Sequence, residues 1–175
     1  VVNGAYTSIP VLDRAIRDAR ARGTLVLAAA GNAFSNNADR GILAPANAPC
    51  ALAIGSIDHD LDRSYFSHYA SSGRSVDLVA PGGRTTGGDG ITSALGEGTW
   101  GQQVGTSMAA PFVAGVAALM LSNDPTLTTE DLIAKLLQNA SRPTGGTPAE
   151  LGFGVPCPDA MLDLATGCGY PRNRR

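Results

Sequence analysis

Two periodicities run through the chain. From Ile9 to Arg22, Leu12, Ala15, Ile16 and Ala19 fall on one face with arginine and aspartate opposite, which predicts an amphipathic helix. Gly23 follows it and supplies a stop. Short apolar runs at 25–30, 50–55 and 76–80, bounded by turn residues, predict buried strands. Ser107 to Leu121 is small and apolar all round, which predicts a buried helix; Pro111 falls near its first turn, where it forfeits at most one ladder bond. Gly115, beside Ala114, Ala117 and Ala118, lets neighbours pack close to that helix. A second amphipathic helix covers Thr129 to Leu137, with Thr128 as its cap. Strands alternating with helices argue an α/β fold with a parallel sheet.

Composition narrows the classes. The 175 residues suit one domain, and 43% apolar with 16% charged content is globular. A net charge of −2 offers no basic face for nucleic acid, and Asn173-Arg174-Arg175 is a short tail. The most apolar run, Val113 to Leu121, is short of the roughly 18 residues of a membrane span. Neither a nucleic-acid nor a membrane partner is expected. The glycine-rich stretch Gly82 to Gly90 lacks the Gly-Lys-Ser/Thr end of a phosphate loop and reads as a mobile surface loop. No internal repeat occurs. Cys157 and Cys168 are spaced for a local disulfide, worth about 3 kcal/mol in the chain-entropy account. Cys50 is left over, either as a small core residue or as the partner of a cysteine elsewhere. This usage favours an oxidising compartment, secreted or periplasmic.

Two short blocks carry candidate chemistry. In Gly105-Thr-Ser-Met-Ala-Ala-Pro111 a serine stands at the mouth of a helix, where first-turn N–H groups and the helix dipole favour negative charge. Alone, Ser107 reads as an N-cap or first-turn serine. In Leu25-Val-Leu-Ala-Ala-Ala-Gly31-Asn32 an apolar strand runs into a Gly-Asn turn, at the strand end where open α/β sheets place ligands. Alone, Asn32 reads as a turn residue.

Together these blocks resemble the subtilisin-like serine proteases. Gly105 to Pro111 with Val113-Ala114-Gly115 is similar to the family's serine block, and Ala29-Ala30-Gly31-Asn32 to its asparagine block, in the family's order and about 75 residues apart. Ala44-Pro45-Ala46-Asn47, Cys50 to Ser56, Tyr65-Phe66-Ser67, Val76 to Gly82 and Leu151-Gly152-Phe153-Gly154 are similar to further landmarks. Phe112 stands where the family usually has a histidine that is not the base. The resemblance runs from Val1 to about Leu164 and implies a three-layer, doubly wound, mostly parallel sheet.

It further implies that Ser107 attacks a peptide carbonyl and that the Asn32 amide and the Ser107 N–H hold the oxyanion. Ala28, Ala29, Ala30 and Gly31 would wall the primary specificity pocket, with Leu43 and Ala44 near its base. That pocket, lacking an acid, would prefer Ala, Val or Leu over Lys or large aromatics in a polypeptide substrate. No transition-metal spacing occurs and no cofactor is identified; structural calcium is implied by the resemblance alone.

The family's triad runs Asp, His, Ser along the chain. Before Ala28 there is no histidine, and Asp13 and Asp18 lie within the first helix. His59 and His68 follow the asparagine block in a polar run and read as solvated loop histidines. Residues 1–175 are therefore expected to be the C-terminal part of a peptidase domain, partnered by an N-terminal part that supplies Asp and His, and inactive in isolation. Val1-Val2-Asn3 looks like the end of a core strand without a leader, running straight into Gly4, so a break or a deleted substrate-binding edge is expected there. Two rival readings exist. An α/β-hydrolase elbow needs glycine where Ala109 stands. A pseudoprotease or binding scaffold of the same fold would also lack Asp and His, but has no need of Ser107 and Asn32.

Overall fold

The computed structural model describes residues 8–33, 38, 41–85 and 87–161. The Val1–Asn3 edge, the Asn3–Gly4 junction, Cys168 and the Asn173–Arg175 tail lie outside them. In chain order the elements are α1 (Pro10–Ala21), β1 (Leu27–Ala29), β2 (Leu52–Ile57), β3 (Leu78–Pro81), β4 (Ile91–Gly96), β5 (Thr99–Gln103), α2 (Thr106–Asn123), α3 (Thr129–Gln138), β6 (Ala140–Ser141), α4 (Pro148–Leu151), β7 (Val155–Pro156) and α5 (Pro158–Met161).

The three apolar runs form one parallel sheet in the order β1-β2-β3, pairing Ala28 with Ala53 and Gly55 with Val79. All six residues of β2 are buried, as the middle strand of a parallel sheet requires. One face packs against α2 and α3 through Leu52, Ile54, Leu78, Val113, Met120 and Leu136. The other carries Ala28, Ala30, Ile57, Val79, Leu151 and Val155. The connections from β1 to β2 and from β2 to β3 contain no helix among the described residues, so the strand–helix alternation is looser than the pattern suggested.

The helix ends follow local chemistry. After α1, Thr24 N–H donates to Ala19 O (3.0 Å) and Gly23 N–H to Arg20 O (2.9 Å), with Gly23 at φ +85°. That double bond pattern closes the helix through a left-handed glycine. Of its predicted face, Ile16 is buried and Leu12 and Ala19 half-buried, but Ala15 is exposed. At α3, Thr128 Oγ1 accepts from Asp131 N–H (3.2 Å) while Thr128 N–H donates to Asp131 Oδ2 (3.4 Å), a reciprocal capping box.

Three sequence expectations are revised. The serine helix is not buried all round: α2 buries Thr106, Ala109, Val113, Val116, Ala117 and Met120, and exposes Phe112, Leu119 (54%) and Leu121. Its 18 residues are long and apolar enough to cross a membrane by composition, but the face packed on the sheet makes it a core helix. Gly82 and Gly83 are buried, not part of a surface loop: Gly82 N–H donates to Ile57 O (3.0 Å) and Gly105 N–H to Gly82 O (2.9 Å). Finally, β4 and β5 form a hairpin that the apolar pattern missed. Its two-residue turn, Glu97 (φ +49°) and Gly98 (φ +74°), has both central residues left-handed, the geometry that matches strand twist.

Candidate active site

Gly105 is the N-cap of α2, so Thr106 and Ser107 are its first two helical residues. Ser107 is exposed, while Gly105 and Thr106 are buried. The N–H at this second position has no acceptor within the helix. Pro111 sits one turn on; its missing N–H is the one that would bond the Ser107 carbonyl, and the helix runs through it to Asn123.

Asn32 follows β1 and is fixed from two sides. Its backbone bridges to Ser67, with Ala33 N–H donating to Phe66 O (2.7 Å) and His68 N–H to Gly31 O (3.0 Å). Its side-chain Oδ1 accepts from Thr106 N–H (2.9 Å) and from the Thr106 hydroxyl (3.2 Å), which itself accepts from Gly31 N–H (3.3 Å). A backbone N–H can only donate, so the atom facing it is the amide oxygen, and Nδ2 is turned the other way. A Cβ on Gly105 would stand 3.5 Å from Asn32 Nδ2 and 3.7 Å from Ser107 N. Asn32 Oδ1 stands 3.7 Å from the same point, so the Asn32 amide and the start of α2 meet beside Gly105, next to the exposed Ser107. Thr106 and Gly105, which arrange this, carry no signal in the sequence beyond their place in the serine block.

The remaining named residues divide between two faces. Ala28 and Ala30 put their side chains into the core, because a strand alternates its faces. Ala29 and Gly31 are half-buried on the alternate positions. Leu43, also half-buried, leans on Gly31: a Cβ there would be 2.6 Å from Leu43 Cδ1 and 2.8 Å from Cγ. Ala44 is buried and joined to Pro45 by a cis peptide bond.

The histidines separate. His59 is exposed as expected, beside Asp60 (3.1 Å) and bonded to Asp89. His68 is not a solvated loop residue: it is 2% exposed, with Nδ1 3.1 Å from Gly41 O. Its backbone bond to Gly31 O (3.0 Å) and its ring bond to Gly41 O hold the segment against the strand end.

Asp58, His59 and Asp60 bring possible ligand atoms within 4.8 Å of one another. Arg84 already lies among them, 3.3 Å from Asp58 Oδ2 and 2.5 Å from Asp60 Oδ2, and its hydrogen bond to Asp60 holds the guanidinium pKa above its usual value. A built-in cation and a ring nitrogen do not fit the cage of six to eight oxygens that calcium takes. Cys50 is a half-buried free thiol, and Cys157 is buried.

Comparison with known proteins identifies the family. Residues 1–154 match the sequence model of the subtilase family. Subtilisin E of Bacillus subtilis is 37% identical over 138 residues, covering 79% of this chain and 34% of the relative. Alkaline elastase YaB of a Bacillus species is 34% identical over 152 residues, covering 87% and 36%. Among solved structures, a protease from Pseudoalteromonas arctica superposes with a TM-score of 0.76 at 32% identity, over 90% of this chain and 47% of the other. The chain spans about a third of the length of these curated relatives. With the serine and asparagine blocks in the family's order on a three-stranded parallel sheet, the chain belongs to the subtilase family of serine proteases.

Proposed function

We propose that this chain is the C-terminal part of a subtilisin-like serine endopeptidase domain, carrying the nucleophile and the oxyanion donors. Ser107 Oγ attacks the carbonyl carbon of a peptide bond and passes its proton to a base. The carbonyl oxygen becomes an oxyanion held by Asn32 Nδ2 and the Ser107 N–H. Collapse expels the amine, which takes that proton, and leaves an acyl-enzyme on Ser107 that water hydrolyses. The observation that supports this reading is that the Asn32 amide, held by Thr106, meets the start of α2 beside Gly105, next to the exposed Ser107.

The base and its aspartate come from a further part of the domain, N-terminal to this chain in the family's order. We place that part over the exposed apolar side of α2, where Phe112 and Leu119 project from the same helix that bears Ser107. Covering such a face is favourable by roughly 25 cal/mol per Å² of apolar surface. Substrates are polypeptides. Ala29, Gly31 and Leu43 line an apolar primary pocket of moderate depth, which favours Ala, Val or Leu before the scissile bond. Pairing of Cys157 with Cys168 and a secreted or periplasmic location complete the reading.

A serine-directed fluorophosphonate tests it on the complete gene product. Covalent addition at Ser107, seen by intact mass and peptide mapping and lost in Ser107→Ala, is expected. An unlabelled, folded wild-type protein would refute the peptidase and leave a binding scaffold of the same fold.

A further inference from the structure

We infer that His68 is a positioning residue of the primary pocket, holding Leu43 against Gly31 and so limiting how large a substrate side chain enters. This rests on the pocket assignment proposed above. His68 is tied to both walls of that pocket at once. Its backbone N–H donates to Gly31 O (3.0 Å), on the strand side. Its ring Nδ1 lies 3.1 Å from Gly41 O, two residues before Leu43. A carbonyl oxygen only accepts, so Nδ1 carries the hydrogen in this bond.

The ring and Leu43 also converge in space. The point where a Cβ of Gly31 would stand is 2.6 Å from Leu43 Cδ1 and 3.3 Å from His68 Nδ1. The isobutyl group and the imidazole therefore share one face of Gly31, with the ring fully enclosed and Leu43 half-buried. The loop bearing Leu43 is also tied by backbone bonds, Gly41 N–H to Tyr69 O (3.0 Å), Leu43 N–H to Ala30 O (3.0 Å) and Asn47 N–H to Leu43 O (3.1 Å). These fix the main chain on either side of Ile42. The imidazole adds a side-chain strut on the side facing Gly31. Without it, Leu43 is free to swing off Gly31 and the pocket deepens.

The test measures kcat and KM of the complete enzyme on two peptides that differ only in having Phe or Ala before the scissile bond. His68→Leu keeps bulk and removes the donor; His68→Asn places an amide N–H near the Nδ1 position. His68→Leu is expected to raise the Phe-over-Ala ratio of kcat/KM by about tenfold, mostly through KM of the Phe peptide, the scale of one or two methylenes of pocket space. His68→Asn is expected to keep the wild-type ratio, and His68→Leu to add nothing to the ratio of Leu43→Gly. An unchanged or lower ratio in His68→Leu overturns the inference, as does an equal further increase in the Leu43→Gly background. If His68→Leu does not accumulate, His68→Gln, whose amide reaches past the Nδ1 position, takes its place with the same expectation. Failure of both to fold while Leu43→Gly folds also overturns it, since His68 would then serve the fold as a whole. Absence of any cleavage by the wild type refutes the peptidase reading itself, a result separable from an active wild type with unmoved ratios.

Discussion

Substituting alanine for Gly105 probes the site more sharply than removing a functional group. Gly105 has φ +151° and ψ 164°, a region that only glycine occupies readily. Holding alanine there costs about 1–3 kcal/mol. Relief would need a φ rotation of roughly 50° to reach the extended edge allowed to other residues. That rotation occurs at the N-cap of α2, so it would break the Gly105–Gly82 bond (2.9 Å) and swing Thr106 and Ser107 away from Asn32. If the backbone holds instead, the new methyl stands 3.5 Å from Asn32 Nδ2 and 3.7 Å from Ser107 N. Those are ordinary contact distances, so nothing clashes, but on the proposed assignment the methyl crowds the space meant for the oxyanion. Either way the proposed oxyanion site is disturbed. Removal of one such donor costs about 100- to 1000-fold in kcat, a magnitude measured on a subtilisin, a relative of this chain. Gly105→Ala is thus expected to lower kcat by at least about 100-fold and stability by about 1–3 kcal/mol. Peptide hydrolysis under saturating substrate and urea unfolding of the complete enzyme measure the two. A folded variant with kcat within about threefold of wild type would refute the assignment of this space to the oxyanion.

Further outcomes are expected elsewhere. Leu43→Gly should shift preference towards Phe and Tyr before the scissile bond by roughly 1–3 kcal/mol, read from a peptide series; strong wild-type cleavage after Lys or Arg, or no shift, contradicts the pocket. Thr128→Ala removes the capping-box acceptor at α3 and should cost about 0.5–2 kcal/mol in urea unfolding; no loss would show that packing alone sets this helix start. At Glu150 burial opposes ionisation, but bonds from the Thr147 N–H and hydroxyl and from Arg63 outweigh it and depress the pKa. A depressed carboxylate stabilises the fold above its unfolded pKa, and that stability fades as pH falls through the folded value. Wild type should therefore lose more stability than Glu150→Gln on acidification below the ordinary glutamate range; parallel pH profiles would contradict this linkage.

What the sequence determined by itself was whatever local chemistry decides. The 3.6-residue period of α1, the Gly23 stop, the Thr128 cap and the three apolar strands are written in neighbouring residues, and each appears where expected within a few positions. The serine and asparagine blocks were legible because each keeps its local spelling. Tertiary structure decided what depends on residues far apart. Thr106, an unremarked neighbour of Ser107, orients the Asn32 amide across 74 positions of sequence. His68 sits in a run of polar residues and is buried where its backbone bonds to Gly31 and its ring meets Gly41 O. Apolar composition alone could not say which side of α2 meets the sheet: the side with Val113 and Met120 packs on β2 and β3, and the side with Phe112 and Leu119 does not. Burial and bond direction are properties of the assembled sheet and helix, since one apolar stretch satisfies the hydrophobic effect on whichever face the chain returns to cover.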